Sequence, residues 1–184
     1  MKKTFSVVWE FLQVVLISLI IIIPIRYYVI QPFFVKGASM EPAFQDGDYL
    51  IVDEFSYHFR SPERGEVIVF RYPQDQKQFY IKRVIGLPGE TVQVANNQIL
   101  IKNSDHPKGF ILDESEYLSM STPGNVEKTL GDNQYFVVGD NRDHSFDSRG
   151  WGELEKDLII GKALFRVWPI DTASAFSSPE YLIP

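Results

Sequence analysis

Ser39 stands in a run of small residues, Gly37-Ala38-Ser39, followed by Met40-Glu41-Pro42. Small neighbours let a substrate backbone approach a hydroxyl and leave backbone N–H groups open to hold an oxyanion. A serine nucleophile also needs a base to take its proton. Histidine is the usual partner, but neither His58 nor His144 has a recognisable triad context. Lys82 is the alternative. It lies in Phe79-Tyr80-Ile81-Lys82-Arg83-Val84-Ile85, among mostly apolar neighbours. In a strand, Tyr80, Lys82 and Val84 share one face. Burial there disfavours the ammonium and lowers its pKa. To act as a base near neutrality the amine must fall by at least two pH units from about 10.4, which costs about 3 kcal/mol of desolvation. A carboxylate in contact with Lys82 would raise the pKa and abolish the role.

A third cluster, Gly139-Asp140-Asn141-Arg142-Asp143-His144-Ser145-Phe146-Asp147-Ser148-Arg149, is dense in charge and hydrogen-bonding groups. Asp147 with Arg149, or Asp140 with Arg142, could brace a loop as ion pairs. Ser145 could hydrogen-bond a neutral amine and orient it. Each feature also has a plainer reading: a turn serine, a lysine snorkelling at a sheet edge, a solvated loop. A calcium loop is a further reading, against which the arginines argue.

These residues need elements to hold them. From Phe5 to Ile25 the chain carries one charge, Glu10. A helix of about 20 apolar residues spans the hydrocarbon of a bilayer. Glu10 and Arg26 bracket only 15 uncharged residues, about 22 Å of helix. The span therefore works with Glu10 near the cytoplasmic interface and Arg26 snorkelling outward. Trp9, Tyr27 and Tyr28 are placed as interface anchors, and Pro24 would kink or end the helix. The expectation is a short cytoplasmic N-terminus (1–4), a transmembrane signal anchor (5–30) and an extracytoplasmic catalytic domain (31–184) at the cell membrane. Lys2 and Lys3 favour that orientation, whereas Arg26 and Lys36 count against it. A cleaved signal peptide and a buried core helix compete with the anchor. The apolar core is long for the first, and Ile20-Ile21-Ile22-Ile23 is unusual for the second.

After Gln31 the pattern changes to short alternating runs, which predict strands at 48–53, 66–71, 79–85, 134–138 and 161–168. A hairpin over 92–101 turns at Asn96-Asn97. Residues 103–132 are polar and irregular, a small inserted excursion, and a helical turn is expected near 153–157. The fold class is mainly β: a transmembrane helix, then an antiparallel barrel or sandwich-like domain. The 184 residues contain no cysteine, which excludes thiolate chemistry, and carry a net charge of −6 with no basic face for nucleic acid. His58, His106 and His144 lack ligand-like spacing, so no metal is expected.

Taken in order, the pieces resemble type I signal peptidases, membrane-anchored serine proteases that remove secretory signal peptides. The resemblance runs through the N-terminal apolar segment and Ser39-Met40-Glu41-Pro42. It continues through Arg64-Gly65-Glu66-Val67-Ile68-Val69-Phe70 and Lys82-Arg83-Val84-Ile85-Gly86-Leu87-Pro88-Gly89-Glu90. Gly139-Asp140-Asn141-Arg142 through Arg149, Gly161 and Phe165-Arg166-Val167-Trp168-Pro169 complete it. It implies Ser39 as nucleophile and Lys82 as general base, with Ser145 orienting the amine and Asp147 and Arg149 bracing the site. Met40, Pro42, Tyr80 and Ile81 are the expected cleft residues. The implied partners are the lipid bilayer and signal peptides of exported preproteins, cut after small residues at an A-x-A-like site, with no metal or cofactor. Three positions depart from the family pattern. Ala43-Phe44 stands where threonine and leucine are frequent, and Glu90 replaces a common aspartate. Gly37 stands where some members carry a hydroxyl oxyanion donor, which leaves backbone N–H groups, notably that of Ser39, with Gly37 or water as a further donor, to hold the charge. Two rivals remain: an inactive or specialised membrane-tethered binding protein of the same fold, and a self-cleaving repressor. The repressor would need a DNA-binding helical region where this chain has an apolar run.

Overall fold

After residue 30 short runs rich in apolar residues form strands: Thr91–Ala95 and Gln98–Lys102 bury alternate residues, whereas Val67–Tyr72 and Gln134–Val138 are buried on both faces. The computed structural model describes residues 2–28 and 30–181, without the side chains of 2–7, 21 and 23–30. Helix α1 spans Lys2–Tyr28. The strands are β1 (Ile30–Phe34), β2 (Tyr49–Asp53), β3 (Val67–Tyr72), β4 (Asp75–Gly86), β5 (Thr91–Ala95) and β6 (Gln98–Lys102). They continue as β7 (Phe110–Ile111), β8 (Val126–Thr129) and β9 (Gln134–Val138), with the single-turn helix α2 (Ser148–Trp151) following. The last are β10 (Leu154–Glu155), β11 (Ile159–Trp168) and β12 (Ser174–Ala175).

Every pairing is antiparallel. The larger sheet runs β1-β2-β11-β3-β4-β9-β10, with β12 added to β11. A second sheet runs β7-β6-β5-β8. The expected barrel is not closed: β1 and β10 end the larger path without pairing to each other. The excursion expected at 103–132 contributes β7 and β8, which pair with β6 and β5 and extend the hairpin into the second sheet. That hairpin turns at Asn96 and Asn97, both at positive φ, a region asparagine tolerates. The expected turn near 153–157 is β10 followed by a 3₁₀ turn at Lys156–Leu158.

Among the described residues no helix is long and apolar enough to cross a membrane. The span expected over 5–30 is therefore not shown by the fold. The side chains of Arg26, Tyr27 and Tyr28, expected at its outer interface, lie outside the described residues.

Three apolar clusters fill the protein. One, including Val92, Ile99, Ile101 and Phe136, lies between the two sheets. A second joins Val35, Met40, Phe44, Leu50, Val67 and Ala163 beneath the Ser39 turn. A third, with Ile68, Phe70, Val84 and Val137, packs the opposite face of β3, β4 and β9. Gly86, the last residue of β4, sits where the sheets meet. A Cβ there would collide with Val92 and come within 2.8 Å of Leu130 and 2.9 Å of Phe136.

Candidate active site

The Ser39 turn leaves β1 and returns to β2. Met40, fully buried, and Phe44 anchor it in the core, and the Phe44 N–H donates to the Met40 carbonyl at 2.9 Å. Gly37 starts the turn at φ +87, in the left-handed region where a side chain would be strained. Its N–H donates to Asp46 Oδ1 at 2.7 Å. That donor, one candidate for an oxyanion, is thereby engaged. The Ser39 N–H has no acceptor among the described residues, as an oxyanion donor requires.

From the other side the loop after β9 grips the same turn. The Asn141 N–H donates to the Ser39 carbonyl at 3.1 Å, and Asn141 Nδ2 donates to the Ala38 carbonyl at 3.0 Å. Gly139 has no room for a Cβ, which would collide with Ser145 Oγ and with the Ser39 carbonyl. Glycine there is a packing requirement, and it brings Ser145 against the backbone of Ser39.

Lys82 comes from the middle of β4, where it pairs in register with Ile68 of β3. Its Nζ donates to Ser39 Oγ at 2.7 Å and to the Ile81 carbonyl at 2.9 Å. It also stands 5.5 Å from the Tyr80 ring centroid. The residue is 3% exposed. Burial pushes its pKa down to about 8, opposed by the nearby charges of Asp147 and Asp140 and assisted by Arg149.

Neither carboxylate is ion-paired to the amine, because each is taken by an arginine. Arg83 binds Asp140 through Nε at 2.8 Å and Nη2 at 2.6 Å. Arg149 binds Asp147 through Nε at 2.8 Å and Nη2 at 2.9 Å. Asp147 also accepts the Gly139 N–H at 3.1 Å and caps α2 by accepting the Arg149 N–H. Arg149 reaches the carbonyls of Pro123 and Arg142, tying the loop to the segment before β8.

The expected Asp147–Arg149 pair is present. The alternative Asp140–Arg142 pair does not form, because Arg142 lies fully buried against Glu114 (2.5 Å) and Thr122. Ser145 Oγ is buried and, among the described residues, has no hydrogen-bond partner, Lys82 included. Among the expected cleft residues, Tyr80 and Ile81 line a cavity of about 830 Å³ that opens beside Ser39 and Lys82. Phe33, Phe34, Phe79 and Phe146 give it aromatic walls. Met40 and Pro42 are not part of its lining: Met40 turns into the core under the serine turn, against Phe44 and Val35. Asn141, Gly139 and the Arg83–Asp140 pair were not singled out from the sequence as supports of Ser39 and Lys82. Gly139, Asp140 and Asn141 show there only as part of the polar density of 139–149, and Arg83 only as the charge beside Lys82; neither says what each group touches.

A hydroxyl, a desolvated amine without a counter-ion and an apolar groove together suit acyl transfer. Among the described residues no group of His, Asp or Glu has the arrangement of a metal site. A model of the family described as signal peptidase, peptidase S26, matches residues 8–168. A signal peptidase I of Leptolyngbya laminosa is 35% identical over 184 residues, 96% of this chain and 88% of its own. A probable signal peptidase I-1 of Synechocystis sp. is 36% identical, with 88% of this chain and 85% of its own covered. A crystal structure of a signal peptidase I from Enterococcus faecalis is 30% identical and covers 56% of this chain and 97% of its own. Its TM-score is 0.48.

Proposed function

Because the chain belongs to the signal peptidase, peptidase S26, family, we propose that it is a membrane-tethered serine endopeptidase using Ser39 and Lys82 to release signal peptides. Neutral Lys82 takes the proton from Ser39 Oγ as the oxygen attacks the scissile carbonyl. The Ser39 N–H holds the oxyanion. Lys82 then protonates the leaving amine, and water activated by the same lysine opens the acyl-enzyme. The substrate lies extended in the groove between Phe33-Phe34 and Gln78-Phe79-Tyr80, adding a strand. Small side chains fit at the −1 and −3 positions beside the closely packed serine turn. Asp147 and Arg149 hold the loop that carries Ser145 and Asn141. Helix α1 anchors the catalytic domain on the outer face of the cell membrane, with the N-terminus in the cytoplasm.

One observation carries this reading: Lys82 Nζ lies 2.7 Å from Ser39 Oγ in a buried setting that lowers the amine to about 8. Its test is cleavage of a preprotein with an A-x-A site in detergent by wild type, Ser39→Ala and Lys82→Ala, with the cut position read by mass spectrometry. Wild type alone should cut after the small residue. Activity persisting in Ser39→Ala would sink the assignment. An inert wild type would favour the tethered binding protein.

A further inference from the structure

We propose that the peptide bond between Ala175 and Phe176 is a latent cleavage site, cut by a second copy of this chain. The inference rests on the small-residue specificity proposed above. Ala173-Ser174-Ala175 is the one Ala-x-Ala triplet in the sequence, and it sets alanine at −1 and −3 of that bond. The three residues are exposed and already extended, Ala173 at φ −57, ψ 128 and the next two as β12. Proteases that add their substrate as a strand take it in this form. An apolar stretch exposed at Phe165, Val167, Trp168 and Ile170 precedes the site, as an apolar segment precedes the cut in a preprotein.

The bond is latched on its far side. The Phe176 N–H donates to the Leu164 carbonyl at 2.8 Å. Its ring lies 4.1 Å from that of Phe44, with the Arg166 guanidinium 5.4 Å from its centroid. Arg166 also donates to the Thr172 carbonyl at 2.8 Å and to Ser174 Oγ at 3.4 Å. Two register pairs, Phe165 with Ala175 and Arg166 with Ser174, hold β12 to β11. So short an edge opens locally at far less cost than global unfolding. No residue of 173–176 lines the cavity at Ser39, so the cut needs a second molecule.

Ser39 of that molecule attacks the Ala175 carbonyl and the C–N bond breaks. The Phe176 amine leaves with a proton, and water frees Ala175 as a carboxylate. The cut removes Phe176 from Phe44 in the Ser39 turn, and it releases Tyr181, whose hydroxyl lies 2.9 Å from that of Tyr117.

The test mixes wild type in detergent with a tagged Ser39→Ala copy as substrate, alongside a preprotein. Mass spectrometry should find a fragment beginning at Phe176, forming in proportion to wild-type concentration. Phe176→Ala in the tagged copy should speed its release about tenfold by loosening the latch, and Ala175→Arg should abolish it. If the preprotein is cut while both the tagged copy and its Phe176→Ala version stay intact, the latent site is wrong. If the preprotein also stays intact, the specificity it rests on has failed, and the site with it.

Discussion

At the scale of single residues, the site depends on keeping one amine dry without giving it a counter-ion. Desolvation dominates at Lys82, and the two nearest acids are occupied by Arg83 and Arg149. In the proposed mechanism Lys82 acts as the base only when neutral, so cleavage should rise with pH and reach half its plateau near pH 8, as read from kcat/KM against pH. Asp140→Asn removes a charge that raises the Lys82 pKa and leaves the Arg83 cation in place, so the half-maximal pH should move below that of wild type. It should also cost about 3–5 kcal/mol of stability, because a buried guanidinium loses its partner. The same lysine burdens the fold. Its folded pKa lies below its unfolded value, so between about 8 and 10.5 the unfolded chain holds more protons. Stability therefore rises with pH across that window, and at pH 7 wild type carries the full cost, about 3 kcal/mol. Lys82→Met should abolish cleavage yet stabilise the protein at pH 7 by about 2 kcal/mol, once a hydrogen bond worth about 1 kcal/mol is subtracted. The gain should vanish above pH 10.5. Chemical denaturation of both proteins at pH 7 and pH 10.5 checks the sign.

At the scale of elements, short apolar runs bounded by turns are enough to place most strands. The run expected at 134–138 is β9, Gln134–Val138, and that expected at 66–71 is β3, Val67–Tyr72. Local pattern fails where pairing is imposed from a distance. Val126-Glu127-Lys128-Thr129 has one apolar residue and is a strand because β5 supplies its hydrogen bonds. β4 begins at Asp75 because its polar first turn continues the hairpin with β3. Around the site, residue types were legible and contacts were not. Ser39 and Lys82 stand out as chemistry, but the grip of Asn141 on the serine turn uses a backbone N–H that any residue carries. Likewise, nothing local marks Arg83 rather than Arg142 as the partner of Asp140. Gly86 is a volume constraint of the same hidden kind, set by Val92, Leu130 and Phe136 closing over it from other elements. Gly86→Ala should overpack the joint between the sheets and cost about 2–3 kcal/mol. A lower urea midpoint with an unchanged slope would show it, while a neutral result would mean that the joint relaxes.

At the scale of the whole molecule, buried ion pairs tie distant segments of the catalytic part. Arg64 meets Glu90 at 2.6 Å, Arg83 meets Asp140 at 2.6 Å and Arg142 meets Glu114 at 2.5 Å. The groove is built without α1: every residue lining it lies between Pro32 and Phe146. On the proposed reading of α1 as the membrane anchor, the helix should serve concentration rather than chemistry. A preprotein whose apolar segment sits in a bilayer meets an anchored enzyme at a high effective concentration, whereas a free catalytic domain meets it from bulk solution. Tethering of this kind is worth about 10²–10⁴ in apparent affinity. A chain lacking residues 1–28 should cut a detergent-dispersed preprotein nearly as fast as the full chain. With the preprotein embedded in lipid vesicles, it should fall behind by about a hundredfold. Parallel time courses in the two media give both ratios. Equal loss in both would assign α1 a part in the folded site, and no loss in either would remove the bilayer from the mechanism.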